Sequence, residues 1–260
     1  MVKLARTIKK IKPSVVKIHI DYMVGGKHET EGMGTGFIVN TDGLIVTAKH
    51  VVDAFRGRVE QLKAGFDVND EAPVRIRVGL PMNEVRTAEM WAAANFRNVS
   101  ADIVLEDIEN DLALLKIDPE QLDKLSQPFS IQGITTAEGY PEPFVLNDGF
   151  LEDGEYVAIS GYPLAEPSMV TTSGNIASTF TPYGTTDRIL GDITANPGNS
   201  GGPVYRVEDG KVIGVLVAGR MKPQYEQKLD LLIQHATGLS IIVPARYVTE
   251  LIKKYNDGNR

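Results

Sequence analysis

Cysteine is absent from all 260 residues, which excludes disulfide staples, thiolate nucleophiles and cysteine-rich metal centres. A cysteine-free chain fits a reducing compartment. The N-terminus carries Lys3, Arg6, Lys9, Lys10 and Lys12 but no uninterrupted apolar core of a secretory signal, so the expected location is cytoplasmic. No run approaches the roughly 18 apolar residues of a membrane span, and membrane insertion is not expected. Excess positive charge is also lacking: the net charge of -7 argues against a broad phosphate-binding face and hence against nucleic acid as a partner. With only four histidines, and no two at ligand spacing on one helix, no metal site is expected.

A chain this long removes about three-quarters of its unfolded surface from water and needs no staples. Leu4, Ile8 and Ile11 share a helical face that Pro13 ends. From Ser14 the texture changes to short β-branched runs: Val15 to Ile20, Gly36 to Asn40, Leu44 to Thr47, Val74 to Val78, Asp102 to Leu105 and Leu112 to Ile117. Asn40-Thr41-Asp42-Gly43 has hairpin-turn chemistry. The second half repeats the style with Tyr156 to Ser160, Met169 to Thr172, Asn175 to Thr179, Val212 to Ala218 and Leu239 to Val243. Many short strands with glycine-rich turns indicate an all-β barrel or sandwich, and two similar halves suggest two barrels. Pro244 suits a first helical position, and Val248, Leu251, Ile252 and Tyr255 share one face of a closing helix over 244–256. The segments Phe55 to Asn98, with a helix-compatible run Arg86 to Phe96, and Pro119 to Gly154 read as insertions.

The chemistry concentrates in Asn196-Pro197-Gly198-Asn199-Ser200-Gly201-Gly202-Pro203. A serine that attacks an amide must let the peptide carbonyl approach its backbone, and the flanking glycines clear that approach. The amides of this stretch, Gly198, Asn199 and Ser200, are candidates for an oxyanion-binding group. A glycine-rich turn between strands is the bland alternative. Serine is nearly inert without a base and an orienting acid. His50, in Thr47-Ala48-Lys49-His50-Val51-Val52, follows a strand and stands apart from His19, His28 and His235. Asp111, in Asn110-Asp111-Leu112-Ala113-Leu114-Leu115-Lys116-Ile117, enters an apolar strand; Asp102 and Asp107 compete with it, and spacing alone does not exclude them.

Gly-Asn-Ser-Gly-Gly-Pro resembles the nucleophile motif of trypsin-like serine proteases, and the Asn-Pro ahead of it resembles the HtrA (DegP) branch. The histidine segment resembles the Thr-Ala-Ala-His of that family and the aspartate segment its Asp-Leu-Ala-Leu-Leu-Lys strand. Pro13-Ser14-Val15-Val16, Gly34-Thr35-Gly36-Phe37-Ile38-Val39, Val157 to Pro163 and Ser173 to Ser178 extend the similarity over most of the chain. The resemblance implies a single protease domain of two six-stranded antiparallel β-barrels with short N-terminal and C-terminal helices, the barrels at about 14–119 and 150–243. It implies a His50, Asp111, Ser200 triad and a serine endopeptidase that needs no cofactor, acts on protein or peptide substrates, and is compatible with a homo-oligomer. HtrA proteins usually continue into a PDZ domain, and this sequence stops after its closing helix.

By the same resemblance Thr194, Ala195 and Asn196 line the primary pocket, and Val217, Ala218 and Gly219 pair with an extended substrate. Thr194 stands where trypsin has its pocket aspartate, so small or medium apolar residues are expected before the cut, unless Asp192 supplies the charge. Val217 replaces a serine that supports the triad acid, which must then be held by another group such as a backbone amide. Asn199 replaces the aspartate that pairs with a new N-terminus in zymogens. A catalytically weak or inactive peptide-binding module is the alternative reading. A nucleotide site at Gly32-Met33-Gly34-Thr35-Gly36 is disfavoured, because these glycines lead into a hairpin rather than a helix.

Overall fold

The computed structural model describes residues 2–65, 75–81, 96–118, 120–121, 130–131, 134–135, 141–166, 168–226 and 231–259. The helix-compatible run Arg86 to Phe96 lies outside the described residues except for Phe96, which begins a strand.

Apolar residues at helical spacing form α1 (Val2–Ile11), which ends in one 3₁₀ turn at Pro13. The first barrel comprises β1 (Val15–Val24), β2 (Lys27–Ile38), β3 (Leu44–Ala48), β4 (Arg75–Pro81), β5 (Phe96–Asp107) and β6 (Leu112–Ile117). It closes in the order β1-β2-β3-β6-β5-β4, with every pair antiparallel. Between β3 and β4 runs α2 (Lys49–Gly65), whose Val51, Val52, Phe55 and Leu62 are buried. The supposed insertion Phe55 to Asn98 is therefore only partly one. It finishes α2, supplies β4, and begins β5, without which the barrel would stay open.

A two-residue pairing of β7 (Ser130–Ile131) with β8 (Ile134–Thr135) lies between the barrels in sequence. The second barrel comprises β9 (Tyr156–Gly161), β10 (Val170–Tyr183), β11 (Thr186–Asp192), β12 (Pro203–Arg206), β13 (Val212–Glu226) and β14 (Leu231–Pro244), closed in the order β10-β11-β14-β13-β12-β9. The chain then turns at Pro244 into α3 (Ala245–Gly258). The expectation of an all-β fold with two six-stranded antiparallel barrels and helices near both ends is borne out; α2 is an addition to it. No helix among the described residues is long and apolar enough to cross a membrane.

One apolar cluster fills the first barrel and continues through Phe144, Tyr162, Tyr205, Val215 and Val217 into the contact between the barrels. A smaller one, including Ile159, Ile189, Leu216 and Ile242, fills the second barrel. The connecting segment binds both halves: Phe144 N–H donates to Ile38 C=O at 2.9 Å, its ring meets Phe37 edge-on at 5.4 Å, and Asn147 N–H donates to Val212 C=O at 2.7 Å.

Candidate active site

β3 ends at Ala48 and the chain turns directly into α2, so His50 stands on the first helical turn at the rim of the first barrel. β6 runs beside β3, with Ala48 opposite Leu112, and this register brings Asp111 alongside. Asp111 Oδ2 lies 2.7 Å from His50 Nδ1, its Oδ1 accepts the His50 backbone N–H at 2.9 Å, and its own C=O accepts the Lys49 N–H at 3.0 Å. Both carboxylate oxygens thus hold one residue, fixing Nδ1 as the protonated nitrogen and leaving Nε2 as the basic one. The backbone amide expected to support the acid in place of a serine is that of His50 itself.

Asp111 has φ 56°, a left-handed conformation that aspartate tolerates better than most residues. The turn before it is held from two sides. Asp107 accepts from the Asn110 N–H and side-chain amide at 3.1 and 2.9 Å, while Arg188 of β11 reaches Glu109 C=O at 3.1 Å and Asn110 Oδ1 at 3.4 Å. Asp107 is thereby occupied as a turn cap, and Asp102 is exposed on β5.

Five consecutive carbonyls define the loop from Asn196 to Ser200, because each has a donor. Asn196 C=O accepts from Asn199 N–H at 3.0 Å, Pro197 from Leu164 N–H at 2.7 Å, Gly198 from Thr35 Oγ1 at 2.7 Å, Asn199 from Gly202 N–H at 2.9 Å and Ser200 from Thr35 N–H at 2.9 Å. In a trans peptide the N–H points opposite to the C=O, so pinning the Pro197 and Asn199 carbonyls aims the Gly198 and Ser200 N–H groups the other way. Neither of these N–H groups donates to a protein acceptor among the described residues. The Asn199 N–H does not join them: it closes the turn onto Asn196, which corrects the expectation that it serves an oxyanion. Its side chain is buried with Oδ1 unpartnered among the described residues.

Two glycines make this path possible. Gly198 has φ +97° and a Cβ there would lie 2.5 Å from Tyr162 C=O; Gly201 has φ +83° and its Cβ would lie 2.2 Å from Thr35 C=O and 2.7 Å from Ala48 N. The loop is therefore packed against the end of β3. A Cβ on Gly34 would meet the methyls of Val51 at 2.7 and 2.9 Å on one side and Ser200 C=O at 3.1 Å on the other, so only a glycine's width separates the Ser200 backbone from the residue after His50.

Thr194 and Asp192 are exposed, Ala195 and Asn196 are half-buried, and Thr194 C=O accepts from Thr172 Oγ1 at 2.8 Å. Val217 is buried, whereas Ala218 and Gly219 are exposed on β13. Gly219 faces Ala195 C=O, which a Cβ at that position would meet at 3.9 Å. His19 is buried on β1 and His28 is exposed, and each has its carboxylate neighbour in Asp21 rather than in Asp111. The side chain of His235 lies outside what the structure describes. Among the described residues no group of three or more His, Cys, Asp or Glu could hold a metal ion. Reasoning from sequence alone did not single out the Thr35 hydroxyl, Asn110 or Arg188; Arg188 lies in the mixed polar run Thr186 to Asp192, which carries no signal of burial.

A trypsin-like peptidase domain model matches residues 34–215, more than half of the chain. The chain belongs to the trypsin-like peptidase family. Within it the similarities run to HtrA-type proteases. A probable periplasmic serine endoprotease DegP-like of Halomonas elongata is 28% identical over 200 residues, covering 74% of this chain and 30% of its own. Serine protease HTRA1A of Danio rerio is 31% identical over 226 residues, covering 82% and 36%, and human serine protease HTRA3 is 26% identical over 264 residues, covering 98% and 45%. The chain thus spans less than half the length of these relatives. A solved structure titled HtrA-type protease AlgW with decapeptide superposes with a TM-score of 0.66 at 21% identity, covering 98% of this chain and 67% of that one, a likeness of fold.

The cytoplasmic expectation is overturned, because several bacterial relatives are named periplasmic endoproteases. The physical reason is plain: a domain of this size folds without disulfides in either redox environment, so missing cysteines carry no information about compartment.

Proposed function

We propose that this chain is a serine endopeptidase acting outside the cytoplasm on extended protein segments. The observation that carries this reading is the His50–Asp111 pair, bonded through both carboxylate oxygens, beside a serine loop with two outward-aimed N–H groups. His50 Nε2 takes the proton from Ser200 Oγ as that oxygen bonds to the scissile carbonyl carbon. The resulting oxyanion is held by the N–H groups of Gly198 and Ser200. The imidazolium then gives its proton to the leaving amine as the C–N bond breaks, and water releases the acyl group by the same steps in reverse order. Asp111 orients the ring and offsets its transient charge.

A substrate strand pairs with the backbone of Val217 to Gly219, and its preceding side chain enters between that edge and Thr194 to Asn196. With no formal charge on Thr194, small and medium apolar side chains are preferred there. A fluorophosphonate probe should label Ser200 and no other residue, and Ser200→Ala should abolish both labelling and cleavage of an unfolded protein while leaving peptide binding intact. Cleavage of a peptide library after basic residues would assign the pocket to Asp192 instead. Peptide binding with neither labelling nor cleavage would favour the binding-module alternative.

A further inference from the structure

Thr35 sits on β2 of the first barrel, fully buried, yet both hydrogen-bond partners of its hydroxyl belong to the second. Its single hydroxyl proton is donated to Gly198 C=O at 2.7 Å, and the same oxygen accepts Tyr162 N–H at 3.0 Å. Two residues further on, Leu164 N–H holds Pro197 C=O, while Thr35's own N–H holds Ser200 C=O. The hydroxyl is therefore the node at which the Tyr162–Leu164 corner and the serine loop are joined.

We propose that Thr35 is a positioning residue: its hydroxyl holds Gly198 C=O directly and, by accepting Tyr162 N–H, holds the corner whose Leu164 N–H pins Pro197 C=O, so that the Gly198 N–H of that same Pro197–Gly198 peptide faces the scissile carbonyl. The proposal rests on the serine-peptidase reading. Gly198, at φ +97°, has the backbone freedom of glycine and cannot hold this orientation by itself. Without the hydroxyl, Gly198 C=O and Tyr162 N–H each lose the hydrogen bond that ties them together, and the loop and the corner shift relative to one another to replace it. Release of the Tyr162–Leu164 corner loosens the grip of Leu164 N–H on Pro197 C=O, and the Gly198 N–H of the same peptide turns away from the substrate. The backbone bond from Thr35 N–H to Ser200 C=O survives a side-chain change, so the nucleophile stays in position while its anion support is lost.

The test is Thr35→Val, which keeps the shape and removes the hydroxyl, beside Thr35→Ser, which keeps the hydroxyl. Active sites are titrated with fluorophosphonate and cleavage of one peptide is followed across pH. In T35V, kcat per titrated site should fall on the order of 10²-fold, with KM and the acid limb of the pH profile unchanged. A peptide boronate, whose tetrahedral centre puts an oxygen in the same site, should lose affinity by a similar factor. T35S should keep near-wild-type kcat. Wild-type kcat in T35V, an equal loss in T35S, or a change confined to KM would each overturn the proposal. If T35V does not fold, Thr35→Cys, a weaker donor, should give an intermediate rate, and a wild-type rate would sink the idea. A wild-type protein that never labels would remove the peptidase reading itself, before any variant is compared.

Discussion

A buried imidazole loses most of its affinity for protons. His19 on β1 is 2% exposed, with Asp21 Oδ1 3.5 Å from its Nε2. Burial pushes its pKa down to about 4; Asp21 opposes that shift, and the positive charges of Lys17 and Arg77 add to it. Because the folded pKa is below the unfolded value of 6.5, the unfolded chain binds a proton between those limits that the folded chain refuses. This contribution is complete above about pH 6.5 and is lost as the pH falls towards 4, to a total of up to about 3 kcal/mol. Urea unfolding at pH 7 and pH 4.5 should therefore show a steeper loss for the wild type than for His19→Gln. Parallel losses would refute the assignment.

At this same scale the sequence revealed residue types but not their partners. His50, Asp111 and Ser200 stand out because their chemistry demands particular neighbours within a few positions. The Thr35 hydroxyl does not, since its acceptor lies 163 positions away. Nor could the Asn199 N–H be seen to close a turn before the path of the loop was known. That Asp111 rather than Asp107 meets the imidazole follows from the β3–β6 register, which spacing alone does not set.

Strands that carry an uninterrupted apolar or β-branched run are the legible elements. β6, a continuous apolar run buried in the barrel, has the bounds read from sequence, and β3 and β9 differ by one residue. The sequence from Met169 to Thr179 reads as two strands broken at Ser173-Gly174, but β10 is one strand of 14 residues. The glycine there marks a close approach: a Cβ on Gly174 would fall 1.9 Å from Asp192 C=O. β11 and β12 do not stand out, the first because only Ile189 and Leu190 of its seven residues are large and apolar and the second because four residues starting with proline carry little periodicity. Arg188 also has consequences for energetics. Its guanidinium reaches the backbone before Asp111, stacks 4.7 Å from the Tyr183 ring centre and lies near Asp187. Burial alone would raise the Asp187 carboxyl, but hydrogen bonds from Arg246 and Tyr247, with the charges of Arg246 and Arg188, outweigh it and hold the pKa below the ordinary range. Arg188→Met leaves Glu109 C=O without its donor and frees a turn whose Asp111 is in a left-handed conformation. Hydrogen exchange at residues 107–111 should accelerate and kcat should fall by about tenfold, the equivalent of one lost hydrogen bond of ordinary strength. Unchanged exchange in that turn would show that Asp107 suffices to hold it.

The two ends of the chain cross between the barrels. α1 precedes the first barrel but reaches the second, where Thr7 Oγ1 donates to Val207 C=O at 3.0 Å and Lys3 pairs with Glu208 at 3.3 Å. α3 follows the second barrel and packs against its β13 and β14, but also against β5 and β6 of the first, with Val248 and Leu251 buried in the larger apolar cluster. None of this reciprocal clasp could be read from the amphipathic pattern, which gives a helix its apolar face but not the surface that covers it. A site assembled from the rims of two barrels needs their relative position fixed to within fractions of an ångström, and the shared cluster ties that position to global stability. The barrels should thus unfold in one calorimetric transition. Leu251→Ala, a large-to-small change at a residue 1% exposed, should lower stability by about 2–5 kcal/mol and move that single transition as a unit. Two separate transitions, with only the one belonging to the second barrel shifted, would mean that α3 belongs energetically to the barrel it follows and that the cleft is held by local contacts instead.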